Sequence, residues 1–212
     1  MKIIPASVEI LTPLDGDYIL KHIERCGRVC YKSEDKIADG SAEKFIAGII
    51  KRDHGAVLEH YSFTVKFICD RGVSHEIVRH RMASYCQEST RYCNYSKDSF
   101  GNEITVINPC YLDYENGDAN AWTVWYDACH TAERRYFYML EDGCTPQEAR
   151  AVLPHSLKTE LIMTANLREW RHFLKLRCSK AAHPQIREVA NLLLAQLKDA
   201  IPVIFDDIQA EV

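Results

Sequence analysis

Residues 61–68, YSFTVKFI, place Phe63, Val65 and Phe67 on one side of an extended chain and Thr64 and Lys66 on the other. Successive side chains of a strand point to opposite faces, so this period of two predicts a strand buried on one face only. Such a strand has to pair with others and cover its apolar side, which commits the chain to a sheet packed against further elements. SLKTELIMTA, 156–165, reads as a second strand. The remaining periodicity is helical. Tyr18, Ile19, His22, Ile23 and Cys26 recur at helical spacing within 16–27, as do Phe45, Ile46, Ile49 and Ile50 within 42–52, behind Ser41 as a cap. After a loop rich in Asn, Asp, Gly and Pro, a long helix is expected over 119–142. There Trp122, Trp125, Tyr126, Cys129, Tyr136 and Met139 form an aromatic stripe suited to a core. TPQE at 145–148 has the form of a capping box with Pro146 in the first helical position. It predicts a helix that carries Arg150 in its second turn and stops near Leu153, before Pro154. NLRE at 166–169 offers Asn166 and Glu169 as a second cap for a helix reaching Arg177. Pro184 opens a last helix, with Ile186, Val189, Ala190, Leu193 and Leu197 on one face. The expected class is α+β: one domain over 1–212, with a small antiparallel or mixed sheet flanked by helices.

Composition narrows what such a chain can do. At 212 residues and 47% hydrophobic it can bury a substantial core. A formal charge of −4 argues against a general nucleic-acid binder, because duplex phosphate is met by broad basic surfaces. No apolar run reaches the roughly 18 residues of a membrane span. Nine cysteines, an odd number, follow an opening KIIPASVEILTP without a signal-like apolar run, which predicts reduced thiols and a cytoplasmic location. No CxxC pair occurs, so no metal is expected. HEIVRH at 75–80 differs from the zinc-protease pattern HExxH: the histidines are five positions apart, and on a helix would point about 140° away from one another.

The chemistry concentrates in VRHRMASYCQESTRY, 78–92. Any one of Arg79, Arg81 and Arg91 could be an ordinary surface charge paired with Glu76 or Glu88. Together, beside Ser84, Gln87, Ser89 and Thr90, they form a set of planar forks, hydroxyls and an amide that suits phosphate oxygens and the polar edge of a pyrimidine. Neither GxGxxG nor GxxxxGK[ST] is present, so phosphates would be held by side chains.

RHRMASYCQES fits the pattern Arg-His-Arg, seven residues, Ser, with Arg79, His80, Arg81 and Ser89, and in this it resembles the flavin-dependent thymidylate synthases. RVCYKS at 28–33, HGAVLEHYSFTV at 54–65, EARAVLP at 148–154 and NLREWRHFLKLR at 166–177 are similar to that family's other segments, in its order. The resemblance implies transfer of a one-carbon unit from methylenetetrahydrofolate to C5 of dUMP, with FAD reduced by NADPH as hydride carrier. It also implies a homotetramer whose active sites lie between subunits. Residue by residue, it places His54, Glu59, Arg79, His80, Arg81, Asn166, Arg168 and His172 at FAD. It places Glu76, Arg79, Gln87, Glu88, Ser89, Arg91, Arg150 and Arg177 at dUMP, with Arg177 against the uracil ring and Ser89 beside it as the catalytic pair. Two positions depart from the pattern: Glu76 stands where glutamine is expected, and Cys86 where the family often has asparagine.

No enzyme nucleophile is needed on this reading, because a fixed guanidinium that stabilises negative charge on the O2/N3/O4 system makes C5 nucleophilic. Ser89 is then a positioning hydroxyl. Two other readings stay open: hydroxymethylation of dUMP by similar machinery, and a non-catalytic nucleotide- or RNA-binding module in which Tyr85, Tyr92 and Tyr95 stack bases.

Overall fold

The computed structural model describes residues 1–97, 101–115 and 117–211. Asp98, Ser99, Phe100 and Asn116, all in the loop expected ahead of residue 119, lie outside the described residues. In chain order the elements are β1 (Lys2–Ile4), β2 (Ser7–Ile10), α1 (Gly16–Tyr31), α2 (Ser41–Lys51), β3 (Ser62–Asp70), α3 (Arg71–Ile77) and β4 (Ala83–Gln87). They continue with β5 (Thr105–Ile107), α4 (Ala119–Glu141), α5 (Pro146–Ala149), β6 (Lys158–Asn166), α6 (Leu167–Arg177), α7 (Pro184–Ala200) and α8 (Pro202–Phe205). A four-stranded sheet has the order β2-β3-β6-β4, and β1 pairs with β5 in parallel, Ile3 opposite Val106. Helix and sheet are mixed along the chain, as expected.

The two predicted strands are the central pair. Phe63, Val65 and Phe67 of β3 are fully buried, and Leu161, Met163 and Ala165 of β6 alternate in the same way. Leu167 N–H donates to Tyr61 O at 2.9 Å, the Thr64 and Thr164 hydroxyls meet at 2.9 Å, and Arg71 N–H reaches Leu157 O at 3.1 Å. Residue numbers rise along one strand as they fall along the other, so β3 and β6 run antiparallel. Each ends in the residue that starts the next helix. Asp70 (φ −79°, ψ 169°) accepts from Val73 N–H at 2.6 Å, and Asn166 (φ −79°, ψ 167°) accepts from Glu169 N–H at 2.9 Å. A short acceptor in extended backbone satisfies an orphan N–H of the first turn, so strand passes to helix without a loop.

The chain resolves into two compact units. One comprises residues 1–7, 67–79 and 86–161; the other comprises 8–66, 80–85 and 162–212. In the first, Tyr95, Ile104, Val106, Cys129, Tyr136, Ala149 and Leu157 form one buried cluster. The aromatic stripe of α4 is core only in part: Cys129 and Tyr136 are buried, whereas Trp122, Trp125 and Tyr126 are half-buried and stack along the helix, with Trp122 and Tyr126 5.4 Å apart. In the second unit α6 buries Trp170, Phe173 and Leu174, spaced i, i+3, i+4. Trp170 stacks on Phe63 at 5.0 Å and donates to its carbonyl oxygen at 3.2 Å. Truncating such a residue to alanine costs about 3–5 kcal/mol.

Two helix ends differ from the sequence reading. The cap of α2 is Gly40 at φ 71°, not Ser41, whose hydroxyl accepts from Ala38 N–H and donates to the buried Glu24 carboxylate at 2.8 Å. A left-handed cap suits glycine, and it releases the serine to join two helices. Beyond α7 a further turn, α8, begins at Pro202, where the ring stops the preceding helix. The helix expected from the capping box is α5 followed by a 3-10 turn over Arg150–Val152, and the Glu148 carboxylate accepts from Thr145 N–H at 2.8 Å.

Candidate functional site

The unit containing α3, α4 and α5 carries most of the proposed substrate residues. Gln87, last in β4, donates from Nε2 to Ser74 Oγ at 2.8 Å and to Thr159 Oγ1 at 3.3 Å. Ser74 spends its own proton on Arg71 O, which fixes the amide: both Gln87 N–H groups point into the protein, and its carbonyl is the acceptor left to meet a ligand. Ser89 Oγ accepts from Arg91 N–H at 3.3 Å, and no histidine or carboxylate is among its hydrogen-bond partners among the described residues. Arg150, in the 3-10 turn after α5, donates to Thr90 Oγ1 at 3.3 Å, so the structure brings it to the 89–91 segment. Arg79, Arg91 and Arg150 are exposed, and the Arg91 guanidinium lies over the Tyr92 ring at 5.6 Å. Glu88 is engaged internally: its carboxylate accepts from Lys158 Nζ at 3.0 Å, Glu160 N–H at 3.2 Å and Tyr95 Oη at 3.4 Å. Glu76 is half-buried and Cys86 exposed.

The other unit holds the remainder. His80 is buried at 5% exposure, and its two ring nitrogens meet two residues of α6. Nδ1 lies 3.2 Å from Glu169 Oε1, and Arg177 Nε donates to Nε2 at 3.1 Å. Arginine has no acceptor and does not lose its proton, so Nε2 must carry the lone pair and Nδ1 the hydrogen. Burial first, then the charge of Arg177 and His172, lowers the His80 pKa from 6.5 to about 4, which keeps the ring neutral. Burial raises the Glu169 carboxyl, with His172 opposing.

His80, Glu169 and His172 place ligand atoms within 4.8 Å of one another, the spacing of a metal site. The tautomer argues against that use, because the nitrogen facing Glu169 is an N–H and the other is committed to a cation. HEIVRH is likewise no metal helix, since α3 stops at Ile77, before His80.

Along α6, Arg168, His172 and Lys175 stand at i, i+4 and i+7 and are exposed. With Ile50, Asp53, Gly55, Leu58 and Arg171 they line a cavity of about 180 Å³. A Cβ at Gly55 would lie 3.2 Å from Arg168 Nε. Arg168 pairs with Glu59 at 2.6 Å, and His54 Nδ1 lies 3.0 Å from the Tyr31 hydroxyl. Arg81 is exposed, and Asn166 spends its carbonyl on the helix cap. A larger concavity of about 580 Å³ lies along α4, lined by Arg135, Tyr138, Met139 and Val152 among others, and holds none of the motif residues.

Sequence reading assigned Glu169 only to a cap. Its spacing of eight from Arg177 puts both on one side of α6 two turns apart, a signal the sequence contains, but the histidine between them comes from a distant segment. The base-stacking alternative loses support, since Tyr95 is buried and Tyr85 donates its hydroxyl proton to His80 O.

The family model described as "Thymidylate synthase complementing protein" matches residues 17–203. A protein of Geobacter sulfurreducens named flavin-dependent thymidylate synthase is 34% identical over 187 residues, covering 85% of this chain and 78% of its own. One of the same name from Corynebacterium glutamicum is 32% identical over 222 aligned positions, covering 98% and 86%. Among solved structures, a UMP/dUMP methylase from Streptomyces cacaoi bound to 5-Br dUMP superposes with a TM-score of 0.79 at 25% identity, covering 97% of this chain and 96% of that one.

Proposed function

The chain belongs to the thymidylate synthase complementing protein family, and from that premise we propose that it is a flavin-dependent thymidylate synthase. It converts dUMP to dTMP with methylenetetrahydrofolate as carbon donor and NADPH-reduced FAD as hydride donor. The observation that carries this is identity of about a third, sustained over nearly the whole chain, to enzymes named for the activity.

The residues present fit FAD. Arg168 and Lys175 of α6 and the Gly55 cradle supply the donors and close backbone approach that a dinucleotide diphosphate needs. His54, Glu59, Arg79, His80, Arg81, Asn166, Arg168 and His172 would hold it, and the bound, reduced cofactor supplies hydride. The protein's own part is placement and charge. Arg79, Arg91 and Arg150 neutralise the dUMP phosphate, the Gln87 carbonyl accepts from the uracil N–H, and Ser89 positions the nucleotide. Arg177 stabilises negative charge on the ring oxygens, so C5 attacks without an enzyme nucleophile. Glu88 is held by Lys158, Glu160 N–H and Tyr95, and Glu76 would face the nucleotide or pair with a neighbouring arginine.

The active assembly is a homotetramer, in which Arg177 stays on His80 of its own chain and the Gln87–Arg91 end of the motif at the same dUMP site is supplied by a different chain. Two observations support this: Met82 and Tyr92 are 74% and 79% exposed within the motif, and a cavity of about 180 Å³ is smaller than the roughly 300–1,000 Å³ usual for a whole ligand. The family match over 17–203 supports one functional domain. Among the described residues no helix is long and apolar enough to cross a membrane, and all nine cysteines are free thiols, which supports a reducing, cytoplasmic setting.

The test is spectroscopic and then chemical. The purified protein takes up FAD, and NADPH bleaches its visible absorbance faster when dUMP is present. Mass analysis of the product with dUMP, and with UMP in parallel, finds dTMP rather than hydroxymethylated nucleotide. A colourless protein that refuses added FAD overturns the reading.

A further inference from the structure

Glu169 opens the first turn of α6 and Arg177 closes its last, a separation of about 12 Å along the axis. Each charge suits its end of the helix dipole. The His80 ring lies between them, 3.2 Å from the carboxylate and 3.1 Å from the guanidinium. It is packed edge-on against Phe173 at 4.9 Å and His172 at 5.6 Å, while Tyr85 holds its backbone carbonyl. An imidazole with one N–H has two ways of carrying it, and the two present opposite faces to Arg177. With hydrogen on Nδ1 it accepts from the arginine; with hydrogen on Nε2 it confronts the arginine with a second donor.

We propose that Glu169 is a positioning residue for Arg177: by accepting the Nδ1 hydrogen of His80 it selects the tautomer whose Nε2 lone pair holds the guanidinium in the plane required for dUMP. This rests on the reading of Arg177 as the uracil-facing arginine. The group does not act through charge on His80. Burial, Arg177 and His172 keep the ring neutral, and Glu169 serves only as acceptor. Committing Nε–H to His80 restrains a long, rotamer-rich side chain whose ordering would otherwise be lost against substrate affinity.

The FAD-loaded protein labelled with ¹⁵N-histidine tests this first without any variant: the His80 resonances, assigned by their loss in His80→Gln, show Nδ1 protonated and Nε2 bare at neutral pH. An Nε2–H tautomer in the wild-type protein overturns the proposal. In Glu169→Leu the tautomer becomes mixed and dUMP affinity falls about tenfold, the scale of one charge-assisted hydrogen bond, with FAD content unchanged. Glu169→Gln, which keeps an acceptor, restores most of that affinity. In an Arg177→Ala background, Glu169→Leu changes dUMP affinity less than about twofold, because the group it positions is gone. Losses that multiply, or full affinity in Glu169→Leu, refute the relay. If Arg177→Ala alone binds dUMP like the wild type, the assignment of Arg177 to uracil fails, and the tautomer measurement still decides whether Glu169 sets the ring.

Discussion

His80 occupies a place where burial, Arg177 and His172 all disfavour a second proton, and its pKa is held at about 4 against 6.5 for the free side chain. Below pH 6.5 the unfolded chain takes up a proton that the folded chain refuses, so stability present at neutral pH is lost as the pH falls toward 4. The full effect is about 3 kcal/mol. Glu169, raised by burial, acts in the opposite sense at the low end of that window. Thermal melts from pH 7 to pH 4.5 therefore show a steep fall in midpoint that is shallower in His80→Gln; equal slopes would show that His80 does not titrate this way. Ser89 and Cys86 make a different kind of claim. Among the described residues no histidine or carboxylate is hydrogen-bonded to Ser89, and Cys86 is exposed on β4. Ser89→Ala and Cys86→Ala should each keep at least about a tenth of the dTMP-forming rate, since one neutral hydrogen bond is at stake rather than a covalent step. Loss of turnover with FAD and dUMP still bound would restore covalent catalysis.

At the scale of elements, two nine-residue strands each end in a capping side chain, and each helix so started leads to an arginine of the proposed dUMP site: α3 to Arg79 and α6 to Arg177. Asp70→Ala frees the Val73 N–H, and with Asp70 5% exposed the loss is about 1–2 kcal/mol. The expected result is a lower melting temperature with weakened dUMP binding, largely recovered in Asp70→Asn, which can still accept. An unchanged melt would mean that the cap is dispensable. The cap of α6 was legible as Asn166 with Glu169; that of α3 was not read, because Asp70 closes a strand whose alternation gave no reason to stop. β1, β2, β4 and β5 run three to five residues, too short for a period to register, and exist because partners are there to pair with them. Ser41 looked like a cap because its type is right, but Gly40 before it can enter the left-handed region.

At the scale of the molecule, Ser89→Asp and Arg177→Ala, each inactive and each folded, should regain dTMP formation when unfolded together and refolded as mixed tetramers, because some sites then receive both intact segments. Mixed tetramers that form and stay silent would place both segments in one chain. What the sequence by itself determined is local and periodic: the central strands, the long helices, the two readable caps and the motif of arginines, hydroxyls and amide in 78–92. Those features follow from side-chain spacing and backbone preference, which act over a few residues. Tertiary structure decided what long-range contact controls. The Gln87 amide protons go to Ser74 and Thr159, which leaves its carbonyl as the free acceptor for the proposed dUMP contact, Glu88 is tied to Lys158, and Tyr95 is buried. It also decided that His80 is a neutral acceptor rather than a cation, for a ring's tautomer and charge are set by the partners folding brings to each nitrogen, and here these come from 89 and 97 residues away.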